Sequence, residues 1–237
     1  MPEGPVLVVG ATGRTGRLIV ADLVDRAVHV RALVRDADKG REVLPAEVSQ
    51  FIGDVRHPET LAAPIAGADA MIIATCSSPE HRNDAETVDY FGTLHLVEQA
   101  SEANVGTILF VSSIHASRPE HYQDVEPTSL GWKAKAEEVV RGSGIPYTIV
   151  RPGWLTDGSP GASLTLSQGD MAEGRISRAD LADVCVQLLY LTDARAKTLE
   201  VVAAPAGEGS DLASAVTALA PDADATYRGD APTGSGA

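Results

Sequence analysis

The run Gly10-Ala11-Thr12-Gly13-Arg14-Thr15-Gly16 limits what this chain can fold into more than any other stretch. It is preceded by Pro5-Val6-Leu7-Val8-Val9, an apolar run without alternation, which suits a strand buried on both faces. It is followed by Arg17-Leu18-Ile19-Val20-Ala21-Asp22-Leu23-Val24, where apolar residues recur at helical spacing. In a strand, tight turn and helix, three evenly spaced glycines have separate mechanical tasks. They allow a sharp turn, close approach of the backbone to a pyrophosphate, and close packing of helix on strand. The N–H groups and positive end of the helix then face phosphate oxygens. The pattern reads as dinucleotide binding, with a merely tight strand-to-helix connection as the competing reading.

Beyond this unit the chain keeps alternating. Residues 28–34, 48–53, 70–75, 107–111, 146–150 and 198–202 read as strands. A short helix starts near His57-Pro58, one long helix covers 83–104, another covers 132–140, and Ser177-Arg178-Ala179-Asp180 caps one that runs to about Leu191. Alternating strands and helices predict a single three-layer α/β domain around a doubly wound parallel sheet. That domain spans residues 1–204, with substrate-side loops at 115–128 and 154–175. Residues 205–237 shift toward Ala, Gly, Asp and Ser and read as an extension: a short helix over 212–219, then a disordered tail from 229.

Ligands of such sheets sit at the carboxyl ends of the strands, so the residues there are the site candidates. Arg35 precedes Asp36 at the end of the second strand, with Arg14 and Lys39 able to add positive charge. An acidic residue at that place accepts bonds from a ribose 2′-hydroxyl, whereas arginine offers paired donors to a 2′-phosphate. The order favours NADP(H) over NAD(H), against a reading of solvated loop charges. Asp54-Val55 follows the third strand, where the aspartate either bonds an adenine amine or caps the next helix. Thr75-Cys76-Ser77-Ser78 forms a small-residue rim, and Ser112-Ser113 ends the fifth strand. His95 reads as a packing residue.

The formal charge of −14 opposes any general affinity for nucleic acid or anionic membranes. Cys76 and Cys185 have no metal or redox spacing and read as reduced core thiols, and no metal site is expected. No apolar run approaches the roughly 20 residues that span a bilayer, and the first strand starts too early for a signal peptide. A cytoplasmic monomer or homodimer acting on a small molecule is the expectation.

Taken together, Gly10 to Gly16, Leu33-Val34-Arg35, Gly53-Asp54-Val55, Val111-Ser112-Ser113, Lys133 with Glu137, and Tyr147 to Gly153 resemble the atypical short-chain dehydrogenase/reductase superfamily. More narrowly, the sequence is similar to its single-domain NAD(P)-binding Rossmann group, which includes NmrA-like proteins and biliverdin reductase B-like flavin reductases. The resemblance implies that Gly10, Thr12, Gly13, Arg14, Thr15 and Gly16 hold the pyrophosphate, Arg35 the 2′-phosphate, and Asp54 and Val55 the adenine. Ala74, Thr75 and Lys133 would line the ribose, and Pro152 and Gly153 the nicotinamide. Ser112, Ser113 and Lys133 would be the catalytic set. Relatives with carbonyl chemistry complete a Tyr-x-x-x-Lys pair, but four residues before Lys133 stands Ser129, a poor general acid. Tyr122 is a remote substitute. Lys133 also has a bland reading, a solvated helix charge paired with Glu137.

Two functions follow. One is a reductase passing hydride from NADPH to a flavin, quinone or carbonyl; flavins and quinones can take protons from solvent and need no tyrosine. The other is a non-catalytic NADP-binding redox sensor or regulatory protein, with an epimerase as a weaker variant. Gly13→Val is expected to abolish dinucleotide binding while the far-ultraviolet circular dichroism stays native. Unchanged affinity would reduce the glycine run to a turn.

Overall fold

The computed structural model describes residues 3–77, 85–118, 129–205 and 208–222. The first strand, β1 (Val6–Val9), leads through the glycine turn into α1 (Gly16–Asp25). There follow β2 (Val30–Val34), α2 (Ala37–Val43), β3 (Ser49–Ile52), α3 (Ala62–Ile65) and β4 (Ala70–Ile73). A π-helical stretch, Ala85–Phe91, runs into α4 (Gly92–Glu102), and then come β5 (Thr107–Val111), α5 (Ser129–Arg141) and β6 (Tyr147–Pro152). The rest comprises β7 (Trp154–Thr156), β8 (Leu164–Ser167), β9 (Arg175–Ser177), α6 (Arg178–Tyr190), β10 (Lys197–Ala203) and α7 (Leu212–Thr217).

The main sheet has the order β3-β2-β1-β4-β5-β6-β10-β8, all parallel except β8, which pairs antiparallel with β10. Strand order reverses between β1 and β4, so their carboxyl ends diverge and leave a crevice. The unbroken apolar strands serve both faces. Val6, Val8 and Ile72 pack with Ile19, Leu23 and Leu181 beneath α1 and α6, whereas Leu7, Val9 and Ile73 pack with Leu96 and Ala136 beneath α4 and α5. The doubly wound sheet expected from the alternation is present.

Three local expectations need correction. The long helix over 83–104 opens with a π-helical stretch, whose wider turn buries Asp89. The stretch 154–175, expected as a substrate-side loop, is not loop throughout. It holds β7 and β8, and the short β7 pairs with β9 in a second sheet. Cys76 is exposed beyond the carboxyl end of β4; only Cys185 is a core thiol, its pKa pushed up by burial. Helix α7 lies within the predicted 212–219 and docks on the domain through Leu212 and Val216. Tyr122, residues 119–128 and the tail from 229 lie outside the described residues. Among the described residues, no helix is long and apolar enough to cross a membrane and no cluster of metal ligands occurs.

A buried charge network ties α5 to the sheet. Arg151 on β6 and Glu137 on α5 are each 1% exposed and meet through two hydrogen bonds, of 2.9 and 2.6 Å. Burial works to raise the Glu137 pKa, but the Arg151 guanidinium, helped by Arg141, holds it below the usual value. Removing one partner strands the other charge in a dry interior. Glu137→Gln is therefore expected to cost about 3–5 kcal/mol in urea unfolding at neutral pH. Because the folded pKa is the lower one, this contribution is full above the unfolded value and is lost as pH falls through the folded one. Wild type and variant should accordingly converge in acid, and a constant gap down to pH 3 would contradict the assignment.

Candidate functional site

The site is built where β1 and β4 part. Gly10 adopts φ +82°, and a Cβ there would come within 2.6 Å of the Ala74 carbonyl oxygen. A Cβ on Gly16 would lie 2.1 Å from the Gly10 carbonyl oxygen, so this residue brings α1 hard against the turn. At Gly13 the added carbon would meet only the Gly10 oxygen, at 3.1 Å, which leaves its outer side open. The Gly13 amide donates to Gly10 and the Arg17 amide to Gly13, while those of Thr12, Arg14 and Thr15 have no partner among the described residues. Amides without partners at a helix N-terminus suit a pyrophosphate. This arrangement fits the dinucleotide that the sequence implied.

At the end of β2 the two charges separate by role. The Asp36 carboxylate accepts at Oδ1 from the amides of Asp38 and Lys39 and so caps α2. The exposed Arg35 guanidinium has no hydrogen bond or ion pair among the described residues. It faces Asp54 closely enough to help lower that residue's pKa, although the main cause is the hydrogen bond from Arg56, opposed by partial burial. Asp54 accepts from Arg56 through both side chain and backbone rather than capping a helix. Val55 turns into the core beneath Gly92, which leaves Asp54 as the outward residue of that pair. His95 fits its packing role, with Nδ1 2.8 Å from the Val55 carbonyl oxygen.

Lys133 is buried, and Glu137 is not its hydrogen-bond or ion-pair partner. Its ammonium donates to the Thr75 carbonyl at 3.1 Å and to Asp89 at 3.2 Å. Burial opposes the charged form, yet the Asp89 carboxylate, helped by Cys76 and Glu137, more than compensates and the pKa lies above the usual lysine value. Asp89 also accepts from the Ser77 amide, so one carboxylate fixes both the lysine and the rim after β4. The solvated-charge reading of Lys133 is thereby overturned. Asp89 was missed in the sequence, where it looked like one more polar residue of a helix. Its signal was position: a π-helical turn carries it inward, and such turns cluster at functional sites.

Ser112 is buried and Ser113 half-buried after β5. Ser112 Oγ lies toward Glu137 and helps lower its pKa, without well-formed hydrogen-bond geometry. Beyond them His115 adopts φ +65°, with its amide 2.5 Å from Asp170. Asp170 in turn accepts from Ser117, and its own amide donates to Glu200 on β10. Two buried carboxylates thus staple the loops after β5 and β8 onto β10. Glu200 could have been noticed as a lone charge inside Leu199-Glu200-Val201. At β6, the Gly153 amide donates to Val201 and the Trp154 amide to Gly174. β7 then crosses the carboxyl edge, and its next residue, Asp157, pairs with both Arg14 of the glycine turn and Arg178. Gly10 to Gly16, Ala74, Thr75 and Lys133 are brought together around one crevice. Arg35 and Asp54 mark one end of the carboxyl edge, and Pro152 and Gly153 lie toward the other.

Comparison with known proteins places this geometry. A family described as NAD(P)H-binding matches residues 10–192. The chain is 30% identical over 248 residues to sanguinarine reductase of Eschscholzia californica, covering 86% of this chain and 90% of that one. It is 29% identical over 224 residues to the NAD(P)H azoreductase of Xenophilus azovorans, covering 91% and 73%. Among solved structures, a putative NAD-dependent epimerase/dehydratase from Bacillus halodurans superposes with a TM-score of 0.80 at 25% identity, covering 91% of this chain and all of that one. With its glycine turn, switch-point crevice and Rossmann topology, this chain belongs to the NAD(P)H-binding family, in agreement with the expected likeness to atypical short-chain dehydrogenases.

Proposed function

We propose that the protein is an NADPH-dependent reductase that delivers hydride to a small conjugated acceptor such as a flavin, quinone or carbonyl compound. The observation that carries the NADPH preference is the split at the end of β2. Asp36 caps α2 through Oδ1, while Arg35 stands exposed, with no hydrogen bond or ion pair among the described residues, where a 2′-phosphate would lie. Reductases among the relatives, named for sanguinarine and for azo compounds, support the reaction class.

The nicotinamide supplies the hydride when bound. The chain's own residues bind and orient. The amides of Thr12, Arg14 and Thr15 take the pyrophosphate, and Lys133, held by Asp89 and the Thr75 carbonyl, donates to the ribose hydroxyls. Pro152 and Gly153 lie against the nicotinamide, and Ser113 orients the acceptor. No phenol stands four residues before Lys133, so acceptors whose reduced forms take a proton from water are preferred over simple ketones.

Titration with NADPH and NADH, followed by turnover with quinones, flavins and small carbonyls, tests the reading. Arg35→Ala should weaken NADPH binding about tenfold or more, the worth of a charged hydrogen bond, and leave NADH within about twofold. Equal loss for both nucleotides would remove the phosphate assignment. Tight NADPH binding with no oxidation by any acceptor would favour a non-catalytic sensor instead.

A further inference from the structure

Trp154 is 64% exposed, although tryptophan is the side chain with most to gain from burial. It is also rigidly placed. Its amide and that of Gly153 are both hydrogen-bonded at 3.0 Å, and a Cβ on Gly153 would lie 2.7 Å from the Gly174 carbonyl oxygen. The register of the small sheet fixes its direction. Leu155 and Ile176 pair across β7 and β9 and face the core, so Trp154 and Thr156 face away from it. Trp154 is the first residue beyond Pro152-Gly153, on a strand that runs along the carboxyl edge to the Asp157–Arg14 pair at the glycine turn.

Opposite Trp154 in that register stands Arg175. Paired residues of adjacent strands project to the same face with backbones about 4.8 Å apart. Arg175 is exposed and has no hydrogen bond or ion pair among the described residues. Glu173, two residues before it, lies 3.5 Å from His115 Nε2, and Asp157, the residue after β7, is shared by Arg14 and Arg178. In a chain of net charge −14, an arginine left open beside an exposed indole is an anion-binding feature.

We infer that Trp154 and Arg175 form the acceptor subsite, selecting a planar conjugated acceptor with an acidic substituent: the ring system stacks on the indole and the anion bonds the guanidinium. This rests on the reductase reading above and narrows its acceptor class. Stacking on a fixed indole needs little reordering of the protein, and the guanidinium adds a charge-assisted bond that a neutral acceptor lacks.

The test is equilibrium binding, read without turnover. The chain has two tryptophans, so in a Trp132→Phe background Trp154 is the sole tryptophan fluorophore. Anthraquinone-2-sulfonate and 2-(hydroxymethyl)anthraquinone are titrated with and without NADP+. Saturable quenching is expected for both, with the sulfonate binding about tenfold more tightly. Arg175→Gln should bring the sulfonate to the affinity of the neutral quinone and leave the latter within about twofold. Trp154→Ala, followed by equilibrium dialysis with native circular dichroism as the folding check, should weaken both at least tenfold. Absence of saturable quenching, equal affinity for the two quinones, or equal loss of both in Arg175→Gln would overturn the subsite. If NADPH binds and is oxidised by other acceptors while this pattern fails, the subsite falls and the reductase stands. If the pattern holds but neither nucleotide binds, the reductase falls and an aromatic-anion site remains.

Discussion

The buried pair of Glu137 and Arg151 is the interaction on which the rest of the domain depends. It joins α5 to β6 in a place closed to solvent, and its geometry is bidentate. From it the network branches two ways. Arg141 bonds Glu137 and also reaches Asp222, which accepts from Tyr147 and Thr198 and so fastens residues after α7 to the amino ends of β6 and β10. On the other side Arg151 donates to Ser117 and lies 3.6 Å from Asp170, the carboxylate that sets the loop after β5. Apolar residues of similar volume would hold α5 as firmly, because desolvation cancels much of an ion pair's attraction. What charges add is direction. Each hydrogen bond accepts one geometry, so the loops above the sheet inherit a fixed position from a pair below them.

The crevice shows the same division between cohesion and placement. Apolar strands and helices put the carboxyl ends of β1 and β4 side by side, and steric limits at Gly10 and Gly16 let the backbones touch there. Polar groups then settle what each surface offers. Asp36 caps a helix and Arg35 makes no hydrogen bond among the described residues; Asp89 secures Lys133 and the rim together; Asp157 links the glycine turn to the strand that carries Trp154. A crevice assembled this way has a rigid end at the glycine turn and a far end built from loops, which suits a fold that serves many substrates on one cofactor frame.

The fold was legible in the sequence to a large degree, and the glycine turn with it. Strands such as Val6-Leu7-Val8-Val9 announce burial on both faces by lacking alternation, and the glycine spacing acts through contacts within a few residues. The far side of the carboxyl edge was less readable. Strands β7, β8 and β9 are three or four residues long and mix polar with apolar side chains, so they lack the unbroken apolar run that marks a strand as short as β1. The π-helical turn at Asp89 differs from an α-helix by one residue per turn, a difference composition does not carry.

What the sequence by itself determined was the succession of elements, the double burial of the sheet and the glycine turn that faces a dinucleotide, because each follows from backbone sterics and local hydrophobic pattern. Only the tertiary structure decided which charges are spent and which are free. Lys133 could have paired with Glu137 four residues away, and instead Glu137 went to Arg151 and Lys133 to Asp89, 44 positions distant. Cys76 could have been buried, and Trp154 could have turned inward. Those outcomes depend on which distant segment arrives at the same place and on the desolvation each buried charge must offset, and both are properties of the packed chain.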